Sequence, residues 1–390
     1  MSSFLDQINQ IIDQVNKLPN GNTKIGLLEE GIRLADLHQR EDIGYELREE
    51  LIEVSTFWGA PEKALLAFSW ILAEYDRNPD QYDLHHLLWQ YKWVIASLDD
   101  FPHISLQQID QAMEDMSRRY KESGLGLRPL YKIACEHAMT RKDREKVKYF
   151  QKLWRSEKID HGNDCSACER DSQVSYYLFV NDLERALKAA EPILSGKMKC
   201  GEVPHVTLPE LLLPLLRKKE INLAVDYYLW AAKILNRDPD FIAEYGKLMT
   251  FLALTSNFKE GIKIFEKMLP AVLEAKALSR RFTFQLGASL LFHYLQDSGK
   301  DSISLRLPQE LKLSGSKGLD KNGTETDKAK KIPSQNVQIQ SLIDWIDNDL
   351  LHLAKLFDER NGTNAFRAEI DEAKNLKDLC CVIPLKKEED

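Results

Sequence analysis

A small side chain recurs inside helix-forming segments of this chain at a nearly constant interval, and that interval limits the folds open to it. The segments KDREKVKYF, NDLERALKAA, KEINLAVDYY and NFKEGIKIF carry Val147, Ala186, Ala224 and Gly261 at matching places, 39, 38 and 37 residues apart. GAPEKALLAF sets Ala64 ahead of them, HISLQQIDQAM offers Ile109 45 residues after Ala64 and 38 before Val147, and KIGLLEEGIRL offers Gly26 38 residues before Ala64. Each segment is a polar turn, then an acidic or amide residue, then the small or apolar residue that opens a helix. A repeat of this length is one supersecondary unit that cannot bury its apolar face alone, so neighbouring units must stack.

Companion helices are predicted between these starts, over Glu41–Phe57, Gln81–Leu98, Gly126–Met139, Ser166–Val180, Thr207–Leu216, Pro239–Leu254 and Lys276–Leu295. The unit is therefore a helix hairpin, and the expected architecture is all-α: a right-handed α-solenoid of stacked hairpins with a period of about 38 residues. Only 18 Gly and 14 Pro in 390 residues argue against a β-sandwich with its many turns. Residues 298–335, rich in Gly, Ser and charge and free of aromatics, read as a polar linker or mobile loop in which Ile303–Leu307 has the alternation of a short strand. Residues 336–379 read as capping helices, with Ile339, Leu342, Ile343, Ile346, Leu350 and Leu353 forming an apolar stripe and Asn361-Gly362 a helix stop. That leaves 1–297 as the array and 380–390 as a frayed tail.

The small residue is often followed four positions later by an aromatic one: Ala64 by Phe68, Ala224 by Tyr228, Gly261 by Phe265. In this the chain from Asn22 to Leu295 resembles the tetratricopeptide-repeat family, with a unit longer than the usual repeat of about 34 residues. The resemblance implies a scaffold that grips a protein or peptide on the face lined by one helix of each pair. It also implies an alternative, a cytoplasmic receptor for a short signalling peptide, a use such arrays have in Gram-positive bacteria.

The sharpest chemical pattern is Cys165-x2-Cys168 followed at a distance by Cys200-x4-His205. Three thiols and an imidazole make a closed tetrahedral zinc set, which is structural because no position remains for water. An outward and a return helix of similar length bring both pairs to one end of a hairpin. Asp164 stands where it can cap the helix that the first pair opens, and Thr207-Leu-Pro-Glu210 has capping-box spacing. His161 is a substitute fourth ligand. The competing account is four unrelated packing residues. Of the other thiols, Cys135 sits in an apolar helix, and Cys380-Cys381 is too local for an unstrained disulfide.

Tyr82, His86, Trp89 and Trp93 recur at steps of four, three and four, one helical face that can serve as the wall of a partner-binding groove. Core packing between repeats competes for the same residues. No GxGxxG, GxxxxGK[ST], HExxH or GxSxG occurs, so nucleotide cradles, zincin chemistry and a nucleophile elbow have no support. A non-catalytic function is expected, with an enzyme site in the groove as the remaining alternative. The net charge of −8, with Arg280, Arg281, Lys328, Lys330 and Lys331 scattered, does not make a nucleic-acid footprint. No window has the apolar length of a membrane span, and MSSFLDQINQIIDQV reads as an amphipathic helix and not as a signal peptide. A reducing, cytoplasmic compartment follows, in which grouped cysteines hold metal.

Overall fold

The computed structural model describes residues 3–57, 60–236, 238–308, 311 and 334–385. Among them are seventeen α-helices and two short strands, and the chain divides into two compact units, 1–165 with 275–278, and 166–274 with 279–390. Gly59, most of the expected linker, the Lys328 to Lys331 group and the last five tail residues lie outside the described residues.

In the first unit α1 (Phe4–Val15), α2 (Asn22–Leu37), α3 (Glu41–Phe57), α4 (Pro61–Arg77), α5 (Leu84–Ser97), α6 (Leu106–Glu122), α7 (Arg128–Thr140) and α8 (Arg144–Ser156) follow in order. Ser3 and Asp6 close a capping box on α1, and Ser105 and Gln108 close another on α6. Consecutive helices pack against one another, and α5 also touches α3 and α7, so α3, α5 and α7 form a row. One core runs from Ile8, Ile11 and Val15 of α1 through Leu51, Ile71 and Ile95 to Ile133 of α7.

In the second unit the pairs are α9 (Ser166–Phe179) with α10 (Leu183–Leu194), α11 (Thr207–Arg217) with α12 (Ile221–Ile234), and α13 (Ile242–Leu254) with α14 (Phe258–Glu274). Again the first helices make a row, since α11 touches both α9 and α13. Then come α15 (Leu278–Asp297), β1 (Ser302–Leu305), β2 (Gln335–Gln338), α16 (Ile339–Asn361) and α17 (Ala365–Lys374). The apolar stripe expected on α16 is buried from Ile339 to Leu353, and Gly362 ends the helix in the left-handed region at φ 63°. The short strand expected at Ile303 does form, paired antiparallel with β2 in the register Ser302 with Gln338 and Leu305 with Gln335.

The physical origin of the repeat lies in the turns. Lys142, Asn181, Lys219 and Ser256 all have φ between 57° and 61°, and they recur at 39, 38 and 37 residues. After each, the next amide donates to a carbonyl five residues back: Asp143 to Ala138, Asp182 to Tyr177, Glu220 to Leu215 and Asn257 to Leu252. This is the left-handed helix stop that satisfies otherwise orphaned carbonyls. Gln39 and Arg40 repeat it between α2 and α3. Five residues after each left-handed residue stand Gly44, Val147, Ala186, Ala224 and Gly261. Gly26, expected in that register, is instead exposed with nothing within 4 Å of the place a Cβ would take. The tightest backbone approach was not legible as part of the lattice: a Cβ on Gly287 of α15 would lie 2.1 Å from the Gly246 carbonyl oxygen of α13.

Candidate functional site

The segment between α8 and α9 has few apolar residues and is held by polar contacts. Asp160 accepts hydrogen bonds from the amides of Gly126 at 2.7 Å and Gly162 at 2.9 Å, and its own amide donates to Asn163 Oδ1 at 2.6 Å. Lys92 of α5 and Lys132 of α7, both buried, converge on Asp164 at 3.2 and 3.1 Å, and Lys92 also donates to the Gly162 carbonyl at 3.0 Å. Burial pushes the Asp164 carboxyl up, but the two ammonium groups outweigh it and hold the carboxyl below the ordinary range. Asp164, expected as a helix cap, is thus the meeting point of two buried cations. Sequence spacing gave no hint of either lysine, because both sit at helix positions where a lysine normally reaches solvent.

The chain leaves this anchored loop at Cys165 and enters α9 at Ser166, which puts Cys168 in the first turn. Ala167 packs with Ile193 and Val203 in a small apolar cluster, against whose edge lie Cys168, Met198, Cys200 and Val206. The returning loop after α10 is shaped by its own backbone: Met198 N donates to Pro192 O at 2.8 Å and Cys200 N to Val203 O at 3.0 Å. The outcome is that the sulphurs of Cys165, Cys168 and Cys200 all lie within 4.8 Å of one another, with Cys168 and Cys200 3.5 Å apart. A tetrahedral metal with bonds of about 2.3 Å to sulphur wants its sulphurs about 3.8 Å apart. The three thiols are therefore placed to hold one metal ion.

The fourth expected ligand is not with them. Among the described residues no His, Asp or Glu atom completes the triad within that distance. His205 is half-buried and its ring lies flat on Phe241, with centroids 4.9 Å apart and planes at 12°. His161 faces the ring of His85 at 5.0 Å. The expected capping box also resolves differently. Thr207 is the first helical residue of α11, its hydroxyl donates to Asp171 of α9, and Glu210 accepts from Ser175 of α9 at 2.8 Å. Both residues bind the row of first helices together instead of ending the loop.

The aromatic set splits. His86, Trp89 and Trp93 lie on α5 along its partly exposed side, while Leu87, Leu88, Tyr91, Val94 and Ile95 fill the core side. Tyr82 precedes the helix in extended conformation and stacks on Tyr45 at 3.7 Å. Trp89 is the neighbour of the buried network, with the Lys92 ammonium 3.4 Å from its ring centre, and it meets Trp93 edge to face at 6.3 Å. His86 stands 3.5 Å from Glu49.

Cys135 is buried near the Val147 carbonyl, and burial pushes its thiol up to about 12, which makes it a packing group. The Cys381 amide donates to the Leu254 carbonyl at 2.9 Å, laying the C-terminal segment beside the end of α13. No helix among the described residues is long and apolar enough to cross a membrane. Neither a protein-family model nor a curated protein matches this chain.

Proposed function

We propose that this protein is a non-catalytic, TPR-like scaffold that binds another protein or a peptide, and that a zinc ion on Cys165, Cys168 and Cys200 stiffens it. The observation that carries the reading is the row of first helices in each unit, α3–α5–α7 and α9–α11–α13, with one repeated left-handed turn closing the hairpins that α7, α9, α11 and α13 begin. Such rows offer a continuous helical surface. The half-exposed His86, Trp89 and Trp93 supply flat, rigid anchors of the kind that dominate binding energy at interfaces. Zinc suits the triad because thiolate donors are soft and the ion accepts a tetrahedral set. It would tie the first turn of α9 to the loop before α11.

Site-specific photocrosslinkers at positions 89 and 93, with one at the exposed Tyr149 as control, test the binding surface. The reading expects a partner crosslinked from 89 or 93 and not from 149, whose purified form then binds the wild type and binds Trp89→Ala at least about 30-fold more weakly. Equal crosslinking from all three positions, or a partner indifferent to the Trp89 change, removes α5 as the anchor. Elemental analysis tests the metal, with about one zinc per chain expected.

A further inference from the structure

We infer that the metal held by Cys165, Cys168 and Cys200 has its fourth coordination position open to a donor from outside this chain: a thiolate or an imidazole, with water in its place otherwise. The inference rests on the metal reading given above and departs from the closed four-ligand site that the sequence spacing suggests. Three observations support it.

First, only sulphurs gather. The three thiols lie mutually within 4.8 Å, and no other His, Asp or Glu among the described residues shares that space. Second, the residue expected to close the site is not with the sulphurs, although its Nδ1 is buried without a hydrogen-bond partner. His205 is stacked on Phe241, and the segment around it is fixed on both sides: Val203 is buried in the apolar cluster and bonded to the Cys200 amide, while Thr207 is buried and bonded to Asp171. Third, Cys165 is exposed, so the triad has one side from which a molecule in solution can reach the metal. Three protein ligands with one exchangeable position is the arrangement in which zinc takes a ligand in place of water, and soft or borderline donors suit a thiolate-rich ion best. In the exchange the water leaves, and an incoming thiol releases its proton to solvent.

Cobalt(II) in place of zinc makes the coordination sphere visible, because its ligand-field bands respond to each donor. The cobalt-loaded full chain is titrated with imidazole and, separately, with 2-mercaptoethanol. His205→Phe is examined beside the wild type, since a phenyl ring keeps the stack on Phe241 but cannot ligate. Saturable band shifts with the added donors are expected in the wild type. In His205→Phe the starting spectrum should be the wild-type one, and cobalt affinity should stay within about threefold. Bands indifferent to both donors overturn the open site, as does a changed starting spectrum or a loss of affinity of about tenfold or more in His205→Phe, the effect of removing a ligand. A closed site of that kind leaves the metal reading standing. A protein that takes up no cobalt and no zinc overturns both.

Discussion

At the scale of single residues, the first unit holds a buried ionic cluster beside its apolar core. Lys92 and Lys132 are 2% and 7% exposed, and Asp164 is the carboxylate both approach, with Glu136 a further 3.1 Å partner of Lys132. Breaking a buried pair from one side leaves uncompensated charge, which costs about 3 to 5 kcal/mol. Asp164→Asn is expected to cost that much in urea unfolding, far more than the same change at the exposed Asp42; equal costs would mean that the lysines find other acceptors. His137 makes a pH prediction. Burial holds its imidazole below the ordinary 6.5, with Arg141 acting in the same direction and Asp99 and Glu136 against it. The unfolded chain therefore takes up the proton first. Stability should be level above about pH 6.5 and fall as pH drops from there towards the lowered folded pKa. His137→Gln should flatten that part of the curve, read as urea midpoints between pH 7.5 and 5.5; an unchanged slope would assign it to other groups.

At the scale of elements, the turns and one helix crossing decide how the hairpins close. Lys142 and Lys219 occupy left-handed backbone at φ 57° and 61°, where a side chain costs of the order of 1 kcal/mol that glycine avoids. Lys219→Gly should raise stability by about 0.5 to 1 kcal/mol in chemical denaturation, and a loss instead would show that the lysine side chain contributes more than its strain. The crossing of α13 and α15 behaves in the opposite way. A methyl on Gly287 would stand 2.1 Å from the Gly246 carbonyl oxygen, and backbone cannot yield as a flexible side chain can. Gly287→Ala should cost about 3 kcal/mol or more, whereas Gly26→Ala, in open space on α2, should stabilise by about 0.5 to 1 kcal/mol. Comparable melting shifts for the two would contradict the close approach. The final helices add polar ties to this packing: Asp349 binds Arg281 and Gln285, and Asp347 binds Ser289 and His293, joining α16 to α15.

At the scale of the whole molecule, a metal on the three thiols would link the start of α9 to the loop before α11 and so add to folding stability by mass action. At a hundredfold excess over its dissociation constant the gain is about 2.7 kcal/mol. Chelation is expected to lower the melting temperature of the second unit by about 5 to 10 °C, and Cys200→Ser to melt at that lower temperature with or without chelator. A wild type indifferent to chelation would deny the metal a structural part. What the amino-acid sequence determined is whatever depends on neighbours along the chain. The helix period, the turn residues and the small side chains five places after them are local, so the hairpins and α16 with its stripe could be read directly. The Cys-x2-Cys pair was legible for the same reason, its spacing being set by one helical turn, and Cys200 joined it because a hairpin returns close to its start. Tertiary structure alone decided the rest. Whether His205 meets the sulphurs or Phe241, whether Asp164 caps a helix or receives two lysines from α5 and α7, and that α13 and α15 touch at Gly246 and Gly287 all depend on which surfaces distant segments bring together. A spacing fixes which residues are near in the chain, and burial then selects among their possible partners by the cost of leaving a charge or a ring without one.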